Sequence, residues 1–491
     1  MSAPQVEIAS GRVEGAPSRG VLRFKGIPYA APPVGDRRFA PPEPVEPWTG
    51  VLQAIGRPPT APQPIAAMEA MAGVANLPPQ SEADCLTLNV WTESLSGSRP
   101  VMVWIHGGAF VTGTGNTPWY DGVNLAKRGV VVVTINYRLG ALGFLHLEPL
   151  GGERFAGAAN AGLLDQALAL RWVRDNIAAF GGDPSEVTIF GESAGGMSVG
   201  CQLALPASAG LFQAAIPQSG AATHVHSAEQ GEQVAAAVLE AVGLERGDAK
   251  KLLDVPVEAL VQATEALSAR SRIDHGLPFC PTVDGSTLPV APLDAVAGGS
   301  AAGVGLVTGW NAEEMRLFAA MDPRIGSADE TRLRSVVERL LPGDVDAALT
   351  AYQDAAGPDA SPAEVLQNVL TDSVFRIPAI RLLEAQAPHA PVHAYEFRYR
   401  SPGFGAAHAV EIPFAFDNLD APGAAFFAGE PTEAMRALST TMADHWVAMA
   451  TDGDPGDDWP RYDEPERHTR IFDLDVSVEP DPGAATRALW V

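Results

Sequence analysis

Apolar positions along this chain follow two alternating rhythms. The runs VMVWI (101–105) and VVVTI (131–135) are apolar at nearly every position, the pattern of strands buried on both faces. Between 160 and 179, Leu163, Leu164, Ala167, Leu168, Trp172, Val173 and Ile177 recur every few residues. That spacing predicts a helix, with Asn160 as its cap and Gly181-Gly182 as its stop. VTIF (187–190) predicts another strand, and the run AGGMSVGCQLAL that follows predicts a helix halted by Pro206. AAIPQ (214–218), GVGLVTG (303–309) and VHAYEFRY (392–399) continue the series of strands. This alternation implies an α/β fold with a central, mostly parallel sheet covered by helices on both faces. Residues 225–275 and 325–385 read as helical insertions between strands. Proline and glycine crowd 20–64, predicting an irregular segment packed on the body, and 65–80 predicts a mobile loop or short helix. The motifs below run through the chain as one pattern, so 1–491 is expected to form a single domain.

Composition narrows the possibilities. Hydrophobic residues make up 46 % of the 491 and charged residues 19 %, a globular balance with material for a large core. No run approaches the roughly 18 consecutive apolar residues of a membrane span. The opening MSAPQVEIASGRVEG has no basic segment followed by an apolar one, so a cytoplasmic location is expected. A formal charge of −26 argues against nucleic acid and anionic membranes as partners, since both are polyanions. Cys85, Cys201 and Cys280 are odd in number and far apart, which indicates neither a disulfide framework nor a zinc site.

The chemistry begins at Gly191-Glu192-Ser193-Ala194-Gly195. This G-x-S-x-G pattern places a serine on a sharp turn between strand and helix, where glycines two residues away on either side leave room for the backbone. The N-terminus of the following helix would lie beneath the hydroxyl and favour an anion there. With 49 glycines in the chain, the pattern alone would arise by accident in roughly one such sequence in four. Its setting, after a β-branched run and before a helix-forming one, is the one the turn requires. His106-Gly107-Gly108-Ala109-Phe110 follows the strand VMVWI, and paired glycines there would expose backbone N–H groups to a ligand. Gly108, Ala109 and Ala194 are therefore the expected oxyanion donors, with Gly107 shaping the loop.

A serine nucleophile needs a base, and the base a carboxylate. Beyond Ser193 stand His224, His226, His275, His389, His393, His408, His445 and His468, and carboxylates are abundant. Residue chemistry alone does not choose among them. His389 and His393 are separated by Pro391 and lack a metalloprotease glutamate, so no metal site is expected. His224 and His226 read as solvated loop residues.

A wider set of motifs does choose. FKGIPYAAPPVGDRRF (24–39), DCLTLNVW (84–91), WIHGGAF (104–110), NYRLGALGFL (136–145) and NAGLLDQALALRWVRDNIAAFGGDP (160–184) together resemble the type-B carboxylesterases, the family that includes the cholinesterases. Within it the chain is most similar to bacterial para-nitrobenzyl-type esterases. The resemblance runs from about Val6 to Asp473 and implies the α/β-hydrolase fold, hydrolysis of small carboxylic esters and no cofactor. The family's acid lies in a segment matched by Gly309-Trp310-Asn311-Ala312-Glu313-Glu314-Met315, which makes Glu314 the acid, with Glu313 the neighbouring alternative. Its histidine opens a segment matched by His408-Ala409-Val410-Glu411-Ile412-Pro413-Phe414, which makes His408 the base. Ser219 matches a serine that supports the histidine, and Glu192 a buried acid whose expected ion-pair partner is an arginine such as Arg138.

Departures from the family bear on substrate. Gly73-Val74-Ala75-Asn76 holds no aromatic residue where cholinesterases bind the choline cation, so choline specificity is not expected. Cys85 has no partner in 60–64, so a loop that relatives close by a disulfide is expected to be looser here. The segment before Pro281-Thr282-Val283-Asp284-Gly285 carries His275, Leu277 and Phe279, fewer aromatics than a cholinesterase acyl pocket, which predicts room for acyl groups longer than acetyl. Gly107, Phe110, Leu277, Phe279 and Trp310 are the expected substrate contacts. Amide, carbamate or polyester cleavage by the same residues, and a non-catalytic binding protein on the same scaffold, are the alternatives; monomer and dimer stay open.

Overall fold

A computed structural model describes residues 3–65, 78–270, 276–341 and 343–490. Its frame is an eleven-stranded sheet. In chain order the strands are β1 (Ala16–Ser18), β2 (Val21–Pro28), β3 (Thr87–Thr92), β4 (Arg99–Ile105), β5 (Val131–Ile135) and β6 (Gly182–Glu192), then β7 (Ala214–Gln218), β8 (Gly305–Asn311), β9 (Val392–Phe397), β10 (His468–Phe472) and β11 (Ser477–Pro480). Across the sheet they lie in the order β11-β10-β9-β8-β7-β6-β4-β5-β3-β2-β1. From β5 through β10 every neighbouring pair is parallel, and the pairs outside that block are antiparallel. This is the α/β-hydrolase arrangement the sequence led us to expect.

Both faces of the sheet are buried. Along β4, Val101, Val103 and Ile105 enter one core while Met102 and Trp104 enter the other. Successive side chains point to opposite faces, so a strand with a core on each side must be apolar throughout. Helix α1 (Ala161–Asn176) occupies the predicted span and passes through a 3₁₀ turn to Gly181, whose φ of +75° ends it. Asn160 does not cap this helix. Its side-chain amide instead donates to the Thr282 carbonyl at 2.8 Å and accepts from the Thr282 N–H at 2.8 Å, tying the helix start to a distant segment. Helix α2 (Ala194–Gln202) starts at Ser193, and Pro206 opens a separate 3₁₀ turn.

The predicted insertions are helical. They include α3 (Ala228–Ala241) and α4 (Val257–Arg270) in the first, and α5 (Glu330–Leu340), α6 (Val345–Ala356), α7 (Pro362–Thr371) and α8 (Ile377–Gln386) in the second. The expectation of an irregular 20–64 is corrected: Val21–Pro28 is a strand of the large sheet, paired with β3. Gly26 sits where the ladder breaks, at a register shift between Lys25 and Ile27, and Pro28 ends the strand. Of the expected loop at 65–80, residues 66–77 lie outside the described residues, as does the stretch Gly73-Val74-Ala75-Asn76.

Candidate active site

The candidate residues meet beyond the carboxyl ends of the parallel strands, where open α/β sheets form their crevices. β6 ends at Glu192 and delivers Ser193 with φ +57° and ψ −125°, an orientation L-residues rarely adopt. The turn is held by the Ser193 N–H donating to the Gln218 carbonyl at 3.0 Å. Glycine is required on both sides of it. A Cβ on Gly191 would lie 2.5 Å from the Ile105 carbonyl oxygen, and one on Gly195 would collide with the same oxygen. Ser193 is half-buried, and its hydroxyl has no hydrogen-bond partner among the described residues.

The loop after β4 passes beside this serine. A Cβ on Gly107 would lie 3.1 Å from that of Ser193. Gly108 has φ +110°, Ala109 +53° and Phe110 +61°, so three successive residues take left-handed backbone. No acceptor among the described residues takes up the N–H of Gly108 or Ala109. The Ala194 N–H opens α2, where no preceding helical carbonyl can reach it. All three of the expected oxyanion donors are thus unspent.

Three side chains hold this loop: Gln63, which sequence reasoning missed, His106 and Tyr137. Gln63 accepts from the Gly113 N–H at 2.7 Å and donates to the Gly113 carbonyl at 2.9 Å. The His106 ring lies 2.8 Å from the Gly107 carbonyl and stacks on Tyr137, whose hydroxyl donates to the His106 carbonyl. Burial lowers the His106 imidazole to about 4, so it is neutral and its Nδ1 can donate to that carbonyl. Gln63 lacks any motif that would have flagged it.

His408 is buried against the rings of Phe318 and Phe375, with centroids 5.1 and 4.8 Å away. Its Nδ1 is 2.7 Å from Oε2 of Glu314, and its Nε2 is 3.1 Å from Oε1 of Glu192. Glu314 is fully buried, and its other oxygen accepts from the Asn311 N–H at 2.8 Å. Glu313 turns the opposite way, toward Arg316 and Arg400 and the Ala406 N–H. Between the two adjacent glutamates, only Glu314 touches the histidine.

A third carboxylate completes the cluster. Glu411 accepts from the Asn311 amide at 2.6 Å and from Gln218 at 3.3 Å, and Gln218 in turn accepts from the Trp446 indole. Burial pushes Glu192 up to about 8, helped by repulsion from Glu411 and Glu314 and opposed by His408. Burial and then repulsion from Glu314 raise Glu411 to about 7. Burial of the His408 ring works against its protonation, but Glu192 and Glu314 outweigh that and hold it at about 9.

Several expectations need correction. Glu192 does not pair with Arg138: the guanidinium bonds Asp165 of α1 at 2.7 and 2.8 Å, both groups being buried, while Glu192 faces His408. The strand end carries Glu192 into the crevice, whereas Arg138 lies in the loop after β5 beneath α1. The Ser219 hydroxyl has no hydrogen-bond partner among the described residues, His408 included; its N–H donates to the Gly309 carbonyl, at a φ of +44°. Of the expected substrate contacts, Gly107 lines the cleft together with Gly108, Glu192, Trp119 and Phe427. Phe110 is instead a core residue packed edge-on against Phe144, Phe279 is fully buried in the core, and Trp310 is buried beside the Arg376 guanidinium. Leu277 lines a separate cavity of 500 Å³ with His224 and His226, which are half-buried rather than freely solvated. His275 lies outside the described residues. Cys85, Cys201 and Cys280 are buried free thiols. No helix among the described residues is long and apolar enough to cross a membrane, and they contain no cluster of metal-ligating groups.

Comparison with known proteins points to one family. The Carboxylesterase family's model matches residues 2–487. The chain is 42 % identical to the para-nitrobenzyl esterase of Bacillus subtilis, over 97 % of this chain and 96 % of that one. It is 36 % identical to the phenmedipham hydrolase of Pseudarthrobacter oxydans, over 98 % and 96 %. A carboxylesterase structure from Geobacillus stearothermophilus superposes with a TM-score of 0.91 at 40 % identity, covering 99 % of this chain and all of that one. With a serine on a strained turn, a buried histidine–carboxylate pair and relatives matched end to end, the chain belongs to the carboxylesterase family and is a serine-dependent carboxylic ester hydrolase.

Proposed function

We propose that Ser193 is the nucleophile, His408 the general base and Glu314 the group that orients it. The observation that carries this reading is the 2.7 Å contact of His408 Nδ1 with Glu314 in a crevice that also holds Ser193 on its strained turn. Glu314 fixes the proton on Nδ1 and leaves Nε2 free to accept one. On productive binding His408 swings its Nε2 from Glu192 to the Ser193 hydroxyl and takes the proton as the oxygen attacks the ester carbonyl. The oxyanion rests on the N–H groups of Gly108, Ala109 and Ala194, which have no other acceptor to give up. His408 then protonates the departing alcohol, and water repeats the cycle to release the acid from Ser193. Glu192 holds the resting His408 ring without entering the chemistry. No cofactor takes part.

The whole chain acts as one unit, and the substrate is a small ester reached in solution. The cleft beside Ser193 has only 20 Å³ of open volume, about one water's worth, so a substrate enters by displacing its walls. Trp119, Tyr120 and Phe427 form one wall, suited to an aromatic or alkyl group. Para-nitrobenzyl esters are thus apt first probes, and the three buried thiols suit a reducing cytoplasm.

The test compares wild type with Ser193→Ala on p-nitrophenyl acetate, butyrate and octanoate. Turnover should fall by at least about 10⁴-fold in the folded variant. Activity surviving in Ser193→Ala would overturn the assignment, and rates falling steadily from acetate onward would overturn the expectation of a pocket for longer acyl groups.

A further inference from the structure

A cavity of 430 Å³ lies beside β2, toward the antiparallel edge of the sheet and several strands away from the catalytic crevice. β2 supplies Lys25, Gly26 and Pro28, and the segments that flank it supply Leu52, Arg57, Pro58, Asp84 and Leu86, among others. Between β2 and β6, which carries Ser193, stand β3, β5 and β4, so the two sites are roughly 19 Å apart across the sheet. No residue of the catalytic cluster lines this cavity.

Its walls are mostly apolar, with prolines fixing their shape. Gly26, at φ +78°, lets the Pro58 ring approach so closely that a Cβ at 26 would lie 2.7 Å from it. The charge in the cavity is out of keeping with the rest of the molecule, whose net charge is −26. Lys25 and Arg57 both line it, and Arg23, on the same strand, is near enough to repel Lys25. Lys25 makes no ion pair and no side-chain hydrogen bond among the described residues. Neither nearby carboxylate pairs with Lys25: Asp84 lines the cavity but bonds the Ser81 hydroxyl at 2.9 Å, and Asp121 pairs with Arg19 at 2.8 Å. Burial, with repulsion from Arg23 and Arg57 and only partial relief from Asp121, pulls the Lys25 ammonium down to about 8. An anion placed here would gain a charged partner that has no other, inside walls too apolar for a fully hydrated ion.

We propose that this cavity is a second binding site, for a small amphiphilic carboxylate whose head pairs with Lys25 and whose tail lies along Pro28, Leu52, Pro58 and Leu86. Its volume suits one carboxylate with an alkyl chain of moderate length. An ester hydrolase releases this same chemical class, but the site stands on its own geometry and not on which residue performs the hydrolysis.

Calorimetric titration of the full-length protein with sodium octanoate tests the proposal. Wild type should bind saturably, Lys25→Met and Lys25→Gln should each weaken that binding about tenfold or more, and Lys25→Arg should largely restore it. Octanoate occupying the catalytic crevice would be unaffected by these changes, and p-nitrophenyl acetate turnover, which should stay at the wild-type rate, shows that each variant is folded. In wild type the affinity should fall between about pH 7 and pH 9.5 as the ammonium loses its proton. Equal binding by wild type and both neutral variants would overturn the proposal. So would octan-1-ol binding as tightly as octanoate, or an affinity that does not change with pH.

Discussion

His408 and Glu192 face each other across the crevice, with Nε2 of the imidazole 3.1 Å from Oε1 of the carboxylate, on the side of the ring away from Glu314. The imidazole therefore rests between two carboxylates, and Glu192 occupies the nitrogen that must serve the serine. An imidazolium is the form this arrangement favours, and a base must be neutral to act.

The pH dependence follows. His408 is raised to about 9, so the fraction of neutral base grows as pH rises toward that value, and kcat/KM should climb through the alkaline range. Glu192→Gln removes one of the two charges that favour the imidazolium. Its limb should move to lower pH by about one to two units. A pH–rate profile of each protein with p-nitrophenyl butyrate checks this, and an unmoved limb would mean that Glu192 does not set the base.

Glu314→Gln should cost about 10³- to 10⁴-fold in kcat, because the amide can hold His408 in the wrong tautomer. Glu313→Gln should stay within about twofold of wild type, since Glu313 meets arginines at a half-exposed position rather than the histidine. Steady-state kinetics on the pair separates the two neighbours.

Gln63→Ala removes both bonds to Gly113 and leaves a buried N–H without an acceptor, a loss of about 1–3 kcal/mol. The loop bearing Gly108 and Ala109 should loosen. We expect kcat to fall about tenfold or more with KM changing less, because the oxyanion donors act mainly in the transition state.

Arg138→Met leaves Asp165 charged and buried without its partner, a loss of about 3–5 kcal/mol. Its denaturant midpoint should drop while the pH–rate profile of the folded protein keeps its shape. That outcome separates this structural ion pair from the titrating cluster at Glu192.

Much of this was legible in the sequence, for identifiable reasons. β4 and β5 announced themselves because a strand buried on both faces has no polar alternation to disguise it. Ser193 and the Gly107-Gly108 loop were legible because the required backbone angles admit few residue types. The antiparallel edge was harder: β2 is punctuated by Gly26 and Pro28, and turn-forming residues outweighed the strand signal. Glu314 and His408 needed family resemblance, since eight histidines followed Ser193 and nothing local ranked them. Packing hid the rest. Trp310 and Phe279 have the character of pocket residues, and only the core that encloses them shows where they lie. Glu192 carried no sign of its partner, because charge alone does not say whether a strand end points toward Arg138 or toward His408.

Covalent trapping shows whether Ser193 is the residue that becomes acylated. The enzyme would be inactivated with a fluorophosphonate, digested and mapped by mass spectrometry. One adduct per chain is expected, on the peptide containing Ser193, formed in proportion to lost activity and absent from His408→Ala. Inactivation with the adduct on another residue, or an unlabelled Ser193 in the dead enzyme, would contradict that assignment.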